Sequence, residues 1–105
     1  MFKYDNFDYE RYAMIVNSCE LRAKQEVDNT VEGGEVSLDY VALTFLKGVD
    51  INKLCSFGLL LQPISDTESE LIAQVGFGNK HKRFCQVMTE FLRQAGIMSV
   101  IKTRT

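Results

Sequence analysis

The sequence is poor in the residues that build metal centres, disulfide frameworks and membrane spans. It has one histidine, one proline (Pro63), no tryptophan, and three cysteines that form no Cys-X-X-Cys pair, namely Cys19, Cys55 and Cys85. One histidine with scattered cysteines cannot supply the usual zinc ligands, and an odd number of distant cysteines argues for a reducing compartment. No apolar run approaches the roughly 18 residues of a membrane span, and the first ten residues lack the apolar core of a signal peptide. We therefore expect a cytoplasmic protein with no metal, no cofactor and no membrane partner.

The residues needed for nucleophilic catalysis are also scarce. A nucleophile requires a base that activates it and a group that orients the base. The only imidazole is His81, in a basic cluster, and Cys85 lies one turn further along a predicted helix. We interpret His81 as a solvated surface residue and all three cysteines as buried packing residues. The sequence thus predicts no catalytic site, and we expect that the protein is not an enzyme.

Three acids, Asp66, Glu68 and Glu70, alternate along the chain and could line one side of an extended segment. Neighbouring carboxylates can bind Mg²⁺ or Ca²⁺ or perform acid–base chemistry. These three lie at a predicted hairpin tip, where solvated acids are common. We therefore interpret them as surface residues without a metal.

Length and composition indicate one globular domain spanning residues 1–105. The chain is 46% hydrophobic and 25% charged, and it contains no internal repeat or linker-like stretch. The first predicted element is a helix over residues 8–27, with Asp5, Asn6 or Asp8 as its N-cap. The positions with helical spacing on one face are Tyr12, Val16, Cys19, Ala23 and Val27.

A second apolar line on this helix repeats every seven residues and consists of Phe7, Met14 and Leu21. At about 100° per residue, it falls nearly opposite the first face. In a domain this small, one helix is difficult to surround completely. The second line therefore predicts an interface with another protein or with a second copy of the chain.

The segment 37–47 fits two structures. Its apolar positions match one face of a helix with Ser37 as N-cap, and the helix is the structure that we favour. Its content of Val, Thr, Phe and Tyr also suits a buried strand. A short helix over residues 51–57, capped by Asp50, follows. If both were helices, they could form a helix–turn–helix with a wing at 58–77, although the acids at the wing tip would repel DNA.

The C-terminal half predicts the order β-β-α-β. Strands are expected at residues 58–64 and 70–77, joined by a polar loop at 65–69, and again at 97–103. Between them Asn79 is the expected N-cap of a helix that ends at Gly96 and has an apolar stripe of Phe84, Val87, Met88, Phe91, Leu92 and Ala95. The predicted fold is α+β: a two-layer domain in which an antiparallel sheet is packed by an N-terminal and a C-terminal helix.

Positive charge is concentrated at one end of an acidic chain. The formal charge is −2 and the isoelectric point is about 5.3, yet the last 27 residues hold six bases against Glu90, namely Lys80, Lys82, Arg83, Arg93, Lys102 and Arg104. The first three follow a glycine-rich turn at the start of the predicted helix, where free backbone N–H groups attract anions. These six bases are the candidate site for an anionic partner.

Two functions therefore remain open. The first is a small non-catalytic regulatory or inhibitory protein that binds another protein, or itself as a homodimer, through Phe7, Met14 and Leu21. The alternative is a nucleic-acid or nucleotide-binding protein that uses the basic cluster. The overall negative charge favours the first.

Overall fold

A computed structural model describes residues 7–73 and 75–104, so that Asp5 and Asn6, two of the predicted N-caps, lie outside the described residues. It confirms the α+β two-layer prediction. The elements in chain order are α1 (Tyr9–Glu26), β1 (Asp39–Thr44), α2 (Ile51–Ser56), β2 (Leu61–Ser65), β3 (Glu68–Leu71), α3 (Asn79–Gln94) and β4 (Ser99–Thr103). The four strands form one antiparallel sheet in the order β2-β3-β1-β4, and α1 and α3 pack together with it. In the described residues no helix is long and apolar enough to cross a membrane.

The first helix forms as its sequence pattern predicts. Asp8 caps α1, because its side chain accepts a hydrogen bond from the Arg11 N–H at 2.9 Å. The predicted core face is confirmed: Val16, Cys19 and Ala23 are buried together with the C-cap residue, Val27. The opposite side of the helix faces solvent.

The helix favoured for residues 37–47 is wrong, since the segment forms strand β1. Val41 and Leu43 belong to the core, and Ala42 on the other face is buried as well. A strand buried on both faces is a continuous apolar run, and such a run resembles a helix stripe in a short window. The helix–turn–helix interpretation is therefore also wrong. The short helix α2 is confirmed, and Asp50 caps it through the Lys53 N–H.

The predicted hairpin is present with different limits. The turn between β2 and β3 holds only Asp66 and Thr67, so Ser65, Glu68 and Ser69 are strand residues rather than loop. The second strand ends at Leu71 and does not reach residue 77. The polarity of residues 65–69 is typical of a loop, yet their strand positions alternate between the two faces of the sheet.

Helix α3 is confirmed, but its N-cap is Gly78 and not Asn79. Gly78 has φ 62° and ψ −128°, a conformation that glycine alone adopts readily. This backbone lets the Asn79 N–H donate to the Gly33 carbonyl at 2.8 Å. The buried stripe differs from the prediction at two positions, since Phe91 is half-buried and Ala95 is exposed. Cys85 is buried beside the stripe, as predicted.

Candidate functional site

The six candidate bases lie in three separate places. Lys80, Lys82 and Arg83 form the first turn of α3, Arg93 is near its other end, and Lys102 and Arg104 extend from β4 and the residue after it. Three of the six are ion-paired: Arg93 with Glu90, Lys102 with Glu68, and Arg104 with Glu70. The predicted site for an anionic partner is therefore divided, and three of its six cations are neutralised by carboxylates of the same chain.

The remaining group, Lys80, Lys82 and Arg83, will be called the basic cluster. Among residues 7–73 and 75–104, no carboxylate oxygen lies within 4.0 Å of the charged nitrogen atoms of these three side chains. Lys82 and Arg83 are exposed and Lys80 is half-exposed. These cations are free to interact with an external anion.

The glycine turn before the basic cluster already holds an anion from this chain. The carboxylate of Glu32 accepts a hydrogen bond from the Phe77 N–H at 3.1 Å, and a β-carbon at Gly76 would lie 2.6 Å from that carboxylate oxygen. The neighbouring Asn79 N–H is used by Gly33. Two donors of the turn predicted to attract a phosphate are thus satisfied internally. In the sequence, the feature that accompanies these contacts is the Gly33-Gly34 pair, which by itself predicts only a flexible loop.

Acidic groups also surround the start of α3. A shallow groove of about 360 Å³ beside Lys82 is lined by Glu35 and Asp39 as well as by the backbone of Gly78. Because these carboxylates repel a phosphate, they reduce the attraction that the basic cluster exerts on nucleic acid. The local charge is therefore mixed rather than strongly positive.

His81 and Cys85 meet, but in an arrangement unsuited to nucleophilic catalysis. His81 was predicted to be a solvated surface residue, but it is half-buried. Its Nε2 lies 2.8 Å from the Asp39 carbonyl oxygen and 3.7 Å from the Cys85 Sγ. A carbonyl only accepts, so Nε2 carries the proton and cannot take one from the thiol. Burial, with a contribution from the charge of Asp39, raises the pKa of the Cys85 thiol to about 12. At neutral pH this sulfur remains a thiol.

The other two cysteines differ from each other. Cys19 is buried, as predicted, whereas Cys55 is exposed, so its assignment as a packing residue is wrong. Cys55 lies on the six-residue helix α2, whose one buried residue is Leu54. The three thiols are free, and no disulfide links them.

The acids Glu68 and Glu70 are not the solvated hairpin residues that we predicted. They lie on β3, where Lys102 Nζ approaches Glu68 Oε1 to 2.6 Å and the Arg104 guanidinium contacts Glu70. The hydrogen bond to Glu68 raises the pKa of Lys102. Arg104 also stacks over the Tyr40 ring at 4.4 Å. In the described part of the chain, no three histidine, cysteine, aspartate or glutamate side chains are grouped to hold a metal ion.

The predicted apolar line on α1 is partly exposed. Met14 is 65% exposed and Leu21 is 59% exposed, and they lie on the side of α1 away from the core. Phe7 does not continue this surface, because its ring packs 4.7 Å from Tyr9 and 5.3 Å from Tyr12, against the core. We call the surface formed by Met14 and Leu21 the α1 ridge.

No protein-family model, no curated protein and no solved structure matches this chain.

Proposed function

We propose that the protein is a small, non-catalytic regulatory or inhibitory protein that acts by binding another protein through the α1 ridge. The observation that carries this proposal is the pair of large apolar side chains, Met14 and Leu21, each more than half exposed opposite the buried face of α1. Three free cysteines support a reducing, cytoplasmic location.

The α1 ridge has the chemistry of a protein contact. Its two side chains are seven residues apart, roughly 10 Å along the helix, so a single apolar patch on a partner can cover both. Asn17 and Ser18, between them, are exposed and uncharged, so that removing water from them costs less than removing it from charged side chains. Full burial of each apolar side chain would contribute about 1.5–3 kcal/mol before the costs of association. Methionine also adapts to varied partner surfaces.

The core does not need the α1 ridge. The inward side of α1 is already filled by Ala13, Val16, Cys19 and Ala23, all nearly inaccessible to solvent. Polar or charged residues at positions 14 and 21 would therefore leave the fold intact. Their apolar character supports a role in binding.

The proposal is tested by substituting Met14→Glu and Leu21→Glu together, with Leu46→Glu and Leu60→Glu together as a control at two similarly exposed apolar residues outside α1. Proteins captured from the native host by the wild-type chain and by the control variant should be lost with the Met14→Glu, Leu21→Glu variant, while circular dichroism shows all three folded. Identical capture by the Met14→Glu, Leu21→Glu variant, or no specific capture by the folded wild type, would contradict the proposal.

A second candidate function is binding of an anionic partner, such as nucleic acid, at the basic cluster. The observation in its favour is that the charged nitrogen atoms of Lys80, Lys82 and Arg83 have no carboxylate oxygen within 4.0 Å among the described residues. Replacing all three with glutamine should weaken binding to duplex DNA and reduce its salt dependence by up to about 0.9 for each phosphate that is no longer neutralised. Glutamine at Arg11, Lys47 and Lys53 is a control with the same charge change. Equal effects of the two triple variants would indicate non-specific attraction only.

A further inference from the structure

The two edges of the sheet differ in how well they resist pairing with another strand. The outer edge of β2 contains Pro63, which has no N–H, and its pairing with β3 shifts register between Pro63 and Ser65. Proline and such irregularities protect edge strands from association. Strand β4, the opposite edge, has neither feature: it pairs with β1 in an unbroken register from Ser99 to Thr103. The edge open to another strand is therefore that of β4.

Backbone hydrogen bonds show which groups of β4 are free. The Met98 carbonyl accepts from the Thr44 N–H, and the Arg104 N–H donates to the Leu38 carbonyl. In an antiparallel strand these directions alternate from one residue to the next. The N–H and C=O groups that point away from β1 are therefore those of Ser99, Ile101 and Thr103. Among residues 7–73 and 75–104, no strand pairs with that side.

Charged side chains do not protect the β4 edge from pairing with another strand. Lys102 and Arg104 extend back over the sheet to Glu68 and Glu70 on β3, which lies beyond β1. The edge itself presents apolar residues, since Val100 and Ile101 are 43% and 39% exposed. Beside them an open, mostly apolar groove of about 700 Å³ runs between β4 and the C-terminal part of α3.

We propose that a second copy of the chain pairs antiparallel with β4 around a two-fold axis at Ile101, joining the two four-stranded sheets into one. In this register Ser99 faces Thr103 of the other copy, and Ile101 faces Ile101 of the other copy. The outward N–H and C=O groups of each facing pair then form two hydrogen bonds between the copies. Lys102 faces Val100, and no like charges stand opposite each other. An axis at Lys102 would instead place two lysines face to face. This dimer does not depend on the function proposed for the α1 ridge.

Sedimentation tests the proposal with matched substitutions on the two edges. The wild-type chain should approach twice its 12.0 kDa mass as concentration rises. Ile101→Lys places two ammonium groups opposite each other and should raise the dimer dissociation constant about fivefold. Ile64→Lys, at a β2 residue of similar exposure (42%), should dimerise as the wild type does. A wild type that stays monomeric, or an Ile101→Lys variant that dimerises normally, would overturn the proposal.

A cross-linking variant keeps the test decisive if Ile101→Lys does not fold. Facing residues with mutual hydrogen bonds have Cα atoms about 5.5 Å apart, a distance that a disulfide spans. In a Cys55→Ser background, which removes the exposed thiol, Ile101→Cys should form a covalent dimer under mild oxidation and Ile64→Cys should not. Equal cross-linking of the two would refute the interface. The Met14→Glu, Leu21→Glu variant should still dimerise; its conversion to a monomer would place the dimer contact on α1 and overturn the β4 assignment.

Discussion

Truncation of Leu92 to alanine removes a side chain that is fully buried in the core on α3. Deleting a buried leucine side chain costs the lost transfer free energy together with the cavity that remains. Because none of Leu92 is exposed, we expect a loss of about 3–4 kcal/mol in the free energy of unfolding. A domain of this size has about 5–15 kcal/mol in total, so the loss is large.

The neighbouring substitution Phe91→Ala should cost less, although phenylalanine is the larger residue. The Phe91 ring is only half-buried, and the Arg22 guanidinium lies 4.2 Å from its centroid at the surface. A fully buried phenylalanine would cost about 3–5 kcal/mol, which is what the sequence pattern alone predicts for Phe91. With part of the ring in water, and a contribution of about 0.5 kcal/mol from the cation–π contact, we expect about 2 kcal/mol.

Urea unfolding followed by circular dichroism measures both losses, provided that the dependence of the free energy on urea is unchanged between variants. The comparison is made at a protein concentration low enough for the chain to be monomeric. A loss below about 1 kcal/mol for Leu92→Ala, or a larger loss for Phe91→Ala than for Leu92→Ala, would refute the packing described for α3.

Three further predictions concern the backbone and the cysteines. Gly78→Ala should destabilise the protein by at least about 2 kcal/mol more than Gly96→Ala. Both glycines have positive φ, but only at Gly78 would a β-carbon clash, since it would lie 1.9 Å from the Gly33 oxygen. Equal losses of unfolding free energy would contradict this close approach. Iodoacetamide at neutral pH should modify Cys55 in the folded protein, and Cys19 and Cys85 only after unfolding; labelling of folded Cys85 would disprove its burial. Because burial raises the pKa of Cys85 from 9.0 to about 12, the unfolded state loses its proton first, and stability should fall between about pH 9 and 12 by at most about 1.4 kcal/mol per pH unit. Cys85→Ala should flatten that fall in the unfolding free energy, and an unchanged slope would be contrary evidence.

The two long helices were predictable because their apolar periodicity extends over several turns. Val16, Cys19 and Ala23 on α1, and Phe84, Met88 and Leu92 on α3, take the buried positions that their spacing indicates. Strand β1 was not predictable in the same way. It has six residues, three of them buried in succession, and so short an apolar run has no distinguishing period.

The candidate site depended on interactions between residues distant in sequence. Glu68 and Lys102 are 34 positions apart, and they meet only because β1 lies between their strands in the sheet. Glu32 and Phe77 are 45 positions apart. Local pattern carries no information on strand order or on which loop approaches a helix terminus, so Lys102 and Arg104 could not be recognised as ion-paired. The third ion pair, between Arg93 and Glu90 three residues apart on α3, is a local one that helical spacing indicates. The exposure of Met14 and Leu21, by contrast, follows from helical geometry and was predicted.

Site-specific photo-cross-linking in the native host tests binding through the α1 ridge most directly. A photoreactive amino acid at Leu21 should give a discrete covalent adduct with a partner protein other than the chain itself. The same group at Gln62, which is exposed on β2, should not give that adduct. An adduct from position 62 but not from position 21, or no adduct from position 21 in a folded and expressed chain, would contradict the account.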